Sequence, residues 1–208
     1  MKYEVKKPSW FNWIDLLTIG GGGVVCVAFV IYGLLTGTEG EHATEGLILS
    51  GVVGLVFIGI YMRTAWARWA LVRSFKWYPR GFMVKVVGND PGAYMLPSPS
   101  ELNEVVDDVM WGWGAHHMST REILAEGPIW VYFSRSLLDH LPPELRRIYC
   151  NGFTVSGTRV MYVEYDSTYE PLSKTAFAHE LGHIIHGNAT KQWDQTEHHK
   201  FAAERGLP

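Results

Sequence analysis

His179, Glu180 and His183 stand in an H-E-x-x-H pattern within residues 173–187, SKTAFAHELGHIIHG. In a helix each residue turns by about 100°, so side chains four apart lie one turn above each other on one face. Two imidazole nitrogens placed in this way converge on a single zinc ion. Glu180 is rotated off the ligand line, where a carboxylate reaches a water held by the ion without taking a coordination position. The chemistry of this combination is metal-assisted hydrolysis, with His179 and His183 as ligands and Glu180 as general base.

A catalytic zinc takes three protein ligands and keeps one open position. The third donor is sought in residues 193–201, WDQTEHHKF. Glu197 is the first choice and His198 the second, with Asp194, His199 and His186 as further options. His186 shares a face with His183 but lies about 10 Å along the axis from His179, too far to join both. Asp194-x-x-Glu197 also reads as a capping box opening a helix over 195–205 that Gly206 stops. Tyr162, Tyr165 and His117 are the candidates for steadying an oxyanion.

The elements that must position these residues form an α+β domain over 101–208. Phe177, Leu181, Ile184 and Ile185 give the motif helix an apolar stripe to bury, with Ser173 as its expected N-cap and Gly187 as its stop. Upstream, Ser100 is expected to cap a helix over 101–111 whose Leu102, Val105, Val106 and Val109 have helical spacing. The pair His116-His117 follows in a loop, and Ser119-x-x-Glu122 reads as a second capping box. Residues 128–134, PIWVYFS, are strand-like, and 137–147 read as a helix broken at Pro142-Pro143. A hairpin of 148–155 and 158–165 turns at Ser156-Gly157. A strand beside the motif helix has a use, because an open sheet edge holds an extended peptide by backbone hydrogen bonds.

The preceding 1–80 have a different character. Residues 16–38 and 46–62 carry no charge, and each is long enough to cross or nearly cross a hydrocarbon core of about 30 Å. They predict a two-helix transmembrane hairpin with spans at about 14–37 and 46–66, followed by a basic juxtamembrane segment and a linker over 81–100, within which the apolar run 82–87 reads as a short strand. A secretory signal is the less suitable reading, since a second apolar run follows the first. Gly46, Ser50 and Gly54 form a small-xxx-small ladder suited to helix packing. Trp10, Trp13, Trp66, Trp69 and Trp77 flank the runs as an interfacial aromatic belt does. Lys2, Lys6 and Lys7 precede the first run and Arg63, Arg68, Arg73, Lys76 and Arg80 follow within or after the second, while Glu39, Glu41 and Glu45 lie between. The positive-inside rule then puts both termini and the metal motif in the cytoplasm.

Charge supports this division. Residues 1–85 hold nine Lys and Arg against five Asp and Glu, and 86–208 nine against sixteen, within an overall −3. An acidic second part argues against nucleic acid as its partner. Cys26 and Cys150 are too differently placed to suggest a disulfide framework, which suits a reducing compartment.

The tail HELGHIIHG…EHHKFAAERGLP resembles the ImmA/IrrE family of zincin metallopeptidases, in which a Glu four residues before a Phe-Ala on the following helix is the third ligand. That resemblance implies Zn2+ held by His179, His183 and Glu197, with Glu180 as catalytic base. The gap between the two helices is shorter here, and histidines follow Glu197 where Ala-Asn is usual. A His-ligated zincin of the SprT-like kind implicates His198 instead. The order of hairpin and motif is similar to HtpX-like membrane proteases, although too little chain follows His183 for that family's later helices. The expected function is a membrane-anchored zinc endopeptidase acting on a protein or peptide substrate. The alternatives are a non-catalytic membrane adaptor with a structural zinc, and a cell-wall peptidase with its domain on the outer face.

Overall fold

The computed structural model describes residues 16–36, 41–87, 96–117, 119–138, 151–168 and 170–207. The chain divides into two units between Ser74 and Phe75.

The first unit is helical. A π-helical turn, Leu16–Gly20, leads into α1, Gly21–Thr36, and α2 runs from Glu41–Ser74. The two helices pack antiparallel, Gly20 near Tyr61 and Gly33 against Leu47. At the closest point a Cβ on Gly23 would lie 2.9 Å from the Gly54 carbonyl, so only glycine lets the backbones meet there. Ser50 and Gly54 of the expected ladder serve this contact, whereas Gly46 faces open space. Among the described residues one helix, Glu45–Ser74, is long and apolar enough to cross a membrane, and Gly21–Leu35 is a shorter apolar helix. Only 11% of the most apolar window of Glu45–Ser74 is buried, unlike the core helix of a soluble domain.

The second unit is mixed helix and sheet. Its strands are β1, Lys76–Tyr78, β2, Phe82–Val86, β3, Ile129–Ser134, β4, Gly152–Thr154, and β5, Val160–Glu164. Among the described residues they form one sheet in the order β1-β2-β3-β5-β4. The inner three strands are parallel, and β1 and β4 are antiparallel edges. Residues 82–86 therefore belong to the domain and not to a linker over 81–100. Phe82 and Val84 are buried in the core, and Met83 is buried as well. The Arg80 guanidinium ties the β1–β2 turn to Asp107.

Alternation along the strands decides which face is covered. Ile129, Val131 and Phe133 of β3 and Met161 and Val163 of β5 point into the core, while Tyr132, Tyr162 and Phe153 stack across the other face. Among the described residues the unit also holds helices α3, Pro99–Gly114, α4, Thr120–Ala125, α5, Phe177–Thr190, and α6, Gln195–Arg205. On α3, Leu102, Val105, Val106, Val109 and Trp113 form the buried stripe. Its cap is Ser98 rather than Ser100, because Glu101 completes a capping box with Ser98. Ser119 makes no side-chain cap on α4. Arg159 closes that helix from the opposite end, donating to the carbonyls of Ile123 at 2.7 Å and Gly127 at 2.9 Å. The expected helix over 137–147 lies largely outside the described residues.

Candidate metal centre

Burial of Phe177, Leu181, Ile184 and Ile185 against the sheet fixes the rotation of α5. His179 and His183 are then left partly exposed together, with ring centroids 4.8 Å apart. The helix begins later than its sequence suggests, because Leu172–Lys174 is a 3-10 turn and Ala176 takes the N-cap position. It also runs past Gly187 to Thr190. A Cβ on Gly187 would meet the Trp193 ring at 2.6 Å, so this glycine admits the returning chain where a C-terminal stop was expected. Lys191 ends the helix in the left-handed conformation.

Asp194 then caps α6, its Oδ1 accepting from the amides of Thr196 at 2.7 Å and Glu197 at 3.3 Å. The helix brings His198 inward, stacked on His183 with centroids 3.6 Å apart. Trp113 stacks on His198 from α3 at 5.3 Å. One ligand atom from each of His179, His183 and His198 lies within 4.8 Å of the others, close enough for the three to bind a metal ion.

The donor set fits such an ion. His198 is 1% exposed, and neither of its ring nitrogens has a hydrogen-bond partner among the described residues. An unpartnered buried imidazole costs about 1–3 kcal/mol, a cost that coordination relieves. Burial lowers the His198 pKa to about 2, and the charges of His183, His179, His186 and His199 act in the same direction. Burial likewise takes His183 to about 3, with His179, His199 and His186 contributing. Both rings are therefore neutral at physiological pH and present lone pairs without proton competition. Neutral imidazoles suit zinc, copper, iron or nickel better than calcium or magnesium.

Glu197, the expected third ligand, is outside this group. It is exposed and lines a surface depression with His186, Lys200, Phe201 and Arg205. Neighbouring positions on a helix point about 100° apart, so the turn that buries His198 against α5 carries Glu197 round to the side of His186. Asp194 keeps its capping role and Thr196 its place in the first turn. His186 faces His117, with Nδ1 and Nε2 3.3 Å apart, in a layer behind His198.

Glu180 is 4% exposed and packed against β4. Thr154 Oγ1 donates to its Oε2 at 2.8 Å and lies 3.0 Å from its backbone carbonyl. A Cβ on Gly152 would come within 2.8 Å of Glu180 Cγ and of Ala176 Cβ, so glycine allows the strand to lie this close. Burial raises the Glu180 pKa from 4.5 to about 7, partly offset by the Thr154 hydrogen bond. A slot of about 10 Å³, room for one water, opens between Thr154, His183, His198 and Trp193.

No family model, curated protein or solved structure matches the chain.

The oxyanion candidates separate clearly. Tyr165 is buried with its hydroxyl donating toward Glu101 Oε2 at 3.4 Å, and burial together with the Glu101 charge raises its pKa. Tyr162 stacks between Tyr132 and Phe153 on the sheet face away from α5. His117 stays near the centre but is engaged with His186. Sequence reasoning missed Thr154, Gly152 and Trp113. These come from distant segments, and nothing local marks a threonine at a strand end as the partner of a carboxylate 26 residues on.

Proposed function

We propose that the chain is a membrane-anchored, zinc-dependent endopeptidase of the zincin kind. The observation that carries this reading is the three-imidazole group, with His198 of α6 buried and unpartnered among the described residues, and on α5, beside His179, a carboxyl raised to about 7. His179, His183 and His198 would hold the ion. When bound, zinc supplies a water acidified toward neutrality and a Lewis acid for the peptide carbonyl.

Glu180 takes the proton from the attacking water at its carboxylate and returns it to the leaving amine. A pKa near neutrality serves both transfers, since the group must be a base in one half of the cycle and an acid in the other. Thr154 holds Oε2, and the Glu180 backbone is fixed by the helix, so the carboxylate keeps one orientation. Among the described residues strand β4 ends the sheet beside α5, and such an edge suits an extended peptide.

The expected results are that purified full-length protein cleaves an unstructured polypeptide, that a chelator abolishes cleavage, and that stoichiometric zinc restores it. Full zinc occupancy without cleavage of any unstructured polypeptide overturns the enzyme in favour of the adaptor. The confined slot is the observation that favours that second reading.

The exposed apolar surfaces of α1 and α2 and their glycine contact support a membrane hairpin, and the distribution of Lys and Arg supports cytoplasmic termini. A cysteine introduced at Thr38 is expected to react with an impermeant reagent added to intact cells, and one at Ser156 is not. Labelling at Ser156 from outside would move the domain to the outer face.

A further inference from the structure

The imidazole group has a fourth neighbour that the three ligands do not use. His199 is exposed on α6, and its Nε2 lies 3.2 Å from His179 Nε2. Two nitrogens bound at 2.0–2.1 Å to one tetrahedral ion lie about 3.3 Å apart, and the centroids of their rings about 5.2 Å apart. The centroid separations are 5.1 Å for His179–His199, 5.3 Å for His183–His199 and 5.7 Å for His198–His199. Those for His179–His183 and His179–His198 are 4.8 and 5.4 Å. The stacked pair His183–His198, at 3.6 Å, is the exception. Five of the six ring separations thus lie within about 0.5 Å of the tetrahedral value, while the ligand atoms that all lie within 4.8 Å of one another are those of His179, His183 and His198, with His199 joining them through His179.

Helix α6 explains why His199 qualifies and Glu197 does not. The two residues flank His198 on opposite sides, Glu197 toward His186 and His199 toward His179. His198 and its Trp113 stack are buried, which fixes that ligand in place. His199 stands in solvent and can swing away at little packing cost.

We propose that His199 is a fourth, displaceable ligand of the ion held by His179, His183 and His198. It closes the open position at rest and leaves when an oxygen of a substrate or inhibitor takes its place. This rests on the metal-centre reading above and adds a resting state to it. One nitrogen–metal bond is exchanged for one oxygen–metal bond, and no redox step is involved. The chain would then resist unproductive hydrolysis until a peptide able to compete with an imidazole enters the site.

The test uses full-length protein loaded with cobalt(II), whose visible absorption reports ligand number and type, with acetohydroxamate as the incoming oxygen ligand. The expected result is a changed cobalt spectrum in His199→Ala and an acetohydroxamate affinity about tenfold higher than in the unsubstituted chain. Adding acetohydroxamate should bring the two spectra together. Identical spectra and equal affinities before substitution and after overturn the proposal, leaving the three-ligand centre intact. Loss of cobalt from His199→Ala, with acetohydroxamate unable to bind the unsubstituted chain, also overturns it, because the fourth imidazole is then a permanent structural ligand. A chain that binds no cobalt at all defeats the metal centre itself.

Discussion

His198→Ala is expected to empty the metal centre, and Glu197→Ala to leave it filled. His198 is the ligand that the fold commits most heavily. It is buried against Trp113, it stacks on His183, and its nitrogens have no partner among the described residues. Removing a supporting group that only orients a ligand already costs about 10–100-fold in metal affinity, so removing a ligand should cost more than about 100-fold. Glu197 is exposed on the opposite side of His198 from His199, and its loss removes no donor. Zinc per chain after desalting is the measurement, with His198→Leu as a second variant that keeps apolar volume beside Trp113 while offering no nitrogen. Zinc retained in both His198 variants and lost from Glu197→Ala would restore the carboxylate as third ligand.

What made Glu197 attractive shows where local reasoning stops. The H-E-x-x-H spacing, the apolar stripe of α5, the turn between β4 and β5, and the Asp194 and Gly206 ends of α6 are set by neighbours in sequence. All could be read there. Which of two adjacent residues on α6 faces α5 depends on how the helices cross, and that is fixed by Trp113 and by the passage of Trp193 over Gly187. Neither contact leaves a periodic signal. The same limit explains the expected linker. The apolar run 82–87 reads locally as a short strand, but nothing near it in sequence assigns it to the domain until β3 supplies the parallel partner for Phe82–Val86. Gly187 read as a helix stop from propensity alone, and packing overrode it.

Glu180→Gln is the variant that separates catalysis from binding. Hydrolysis is expected to fall by about 10²–10⁴-fold, the usual contribution of a positioned general base, while zinc content stays the same. Glutamine keeps the shape and still accepts the Thr154 hydroxyl bond, so the change falls on proton transfer. The same substitution has a signature in stability that needs no substrate. In metal-free protein the folded-state pKa of Glu180 is about 7 against an ordinary 4.5, so between those values the folded chain holds a proton that the unfolded chain has released. The corresponding stability is fully present below pH 4.5 and is lost as pH rises through 7. That shift corresponds to about 3 kcal/mol once both states are ionised. Glutamine cannot ionise, so metal-free Glu180→Gln should be more stable than the unsubstituted chain at pH 8 by up to that amount. At pH 4 the two should be equal. Chemical denaturation at the two pH values checks this. Equal stabilities at pH 8 would mean that the carboxylate is solvated rather than held under β4. Zinc lost on substitution would mean that Glu180 is a ligand, and unchanged hydrolysis would leave the reaction without its base.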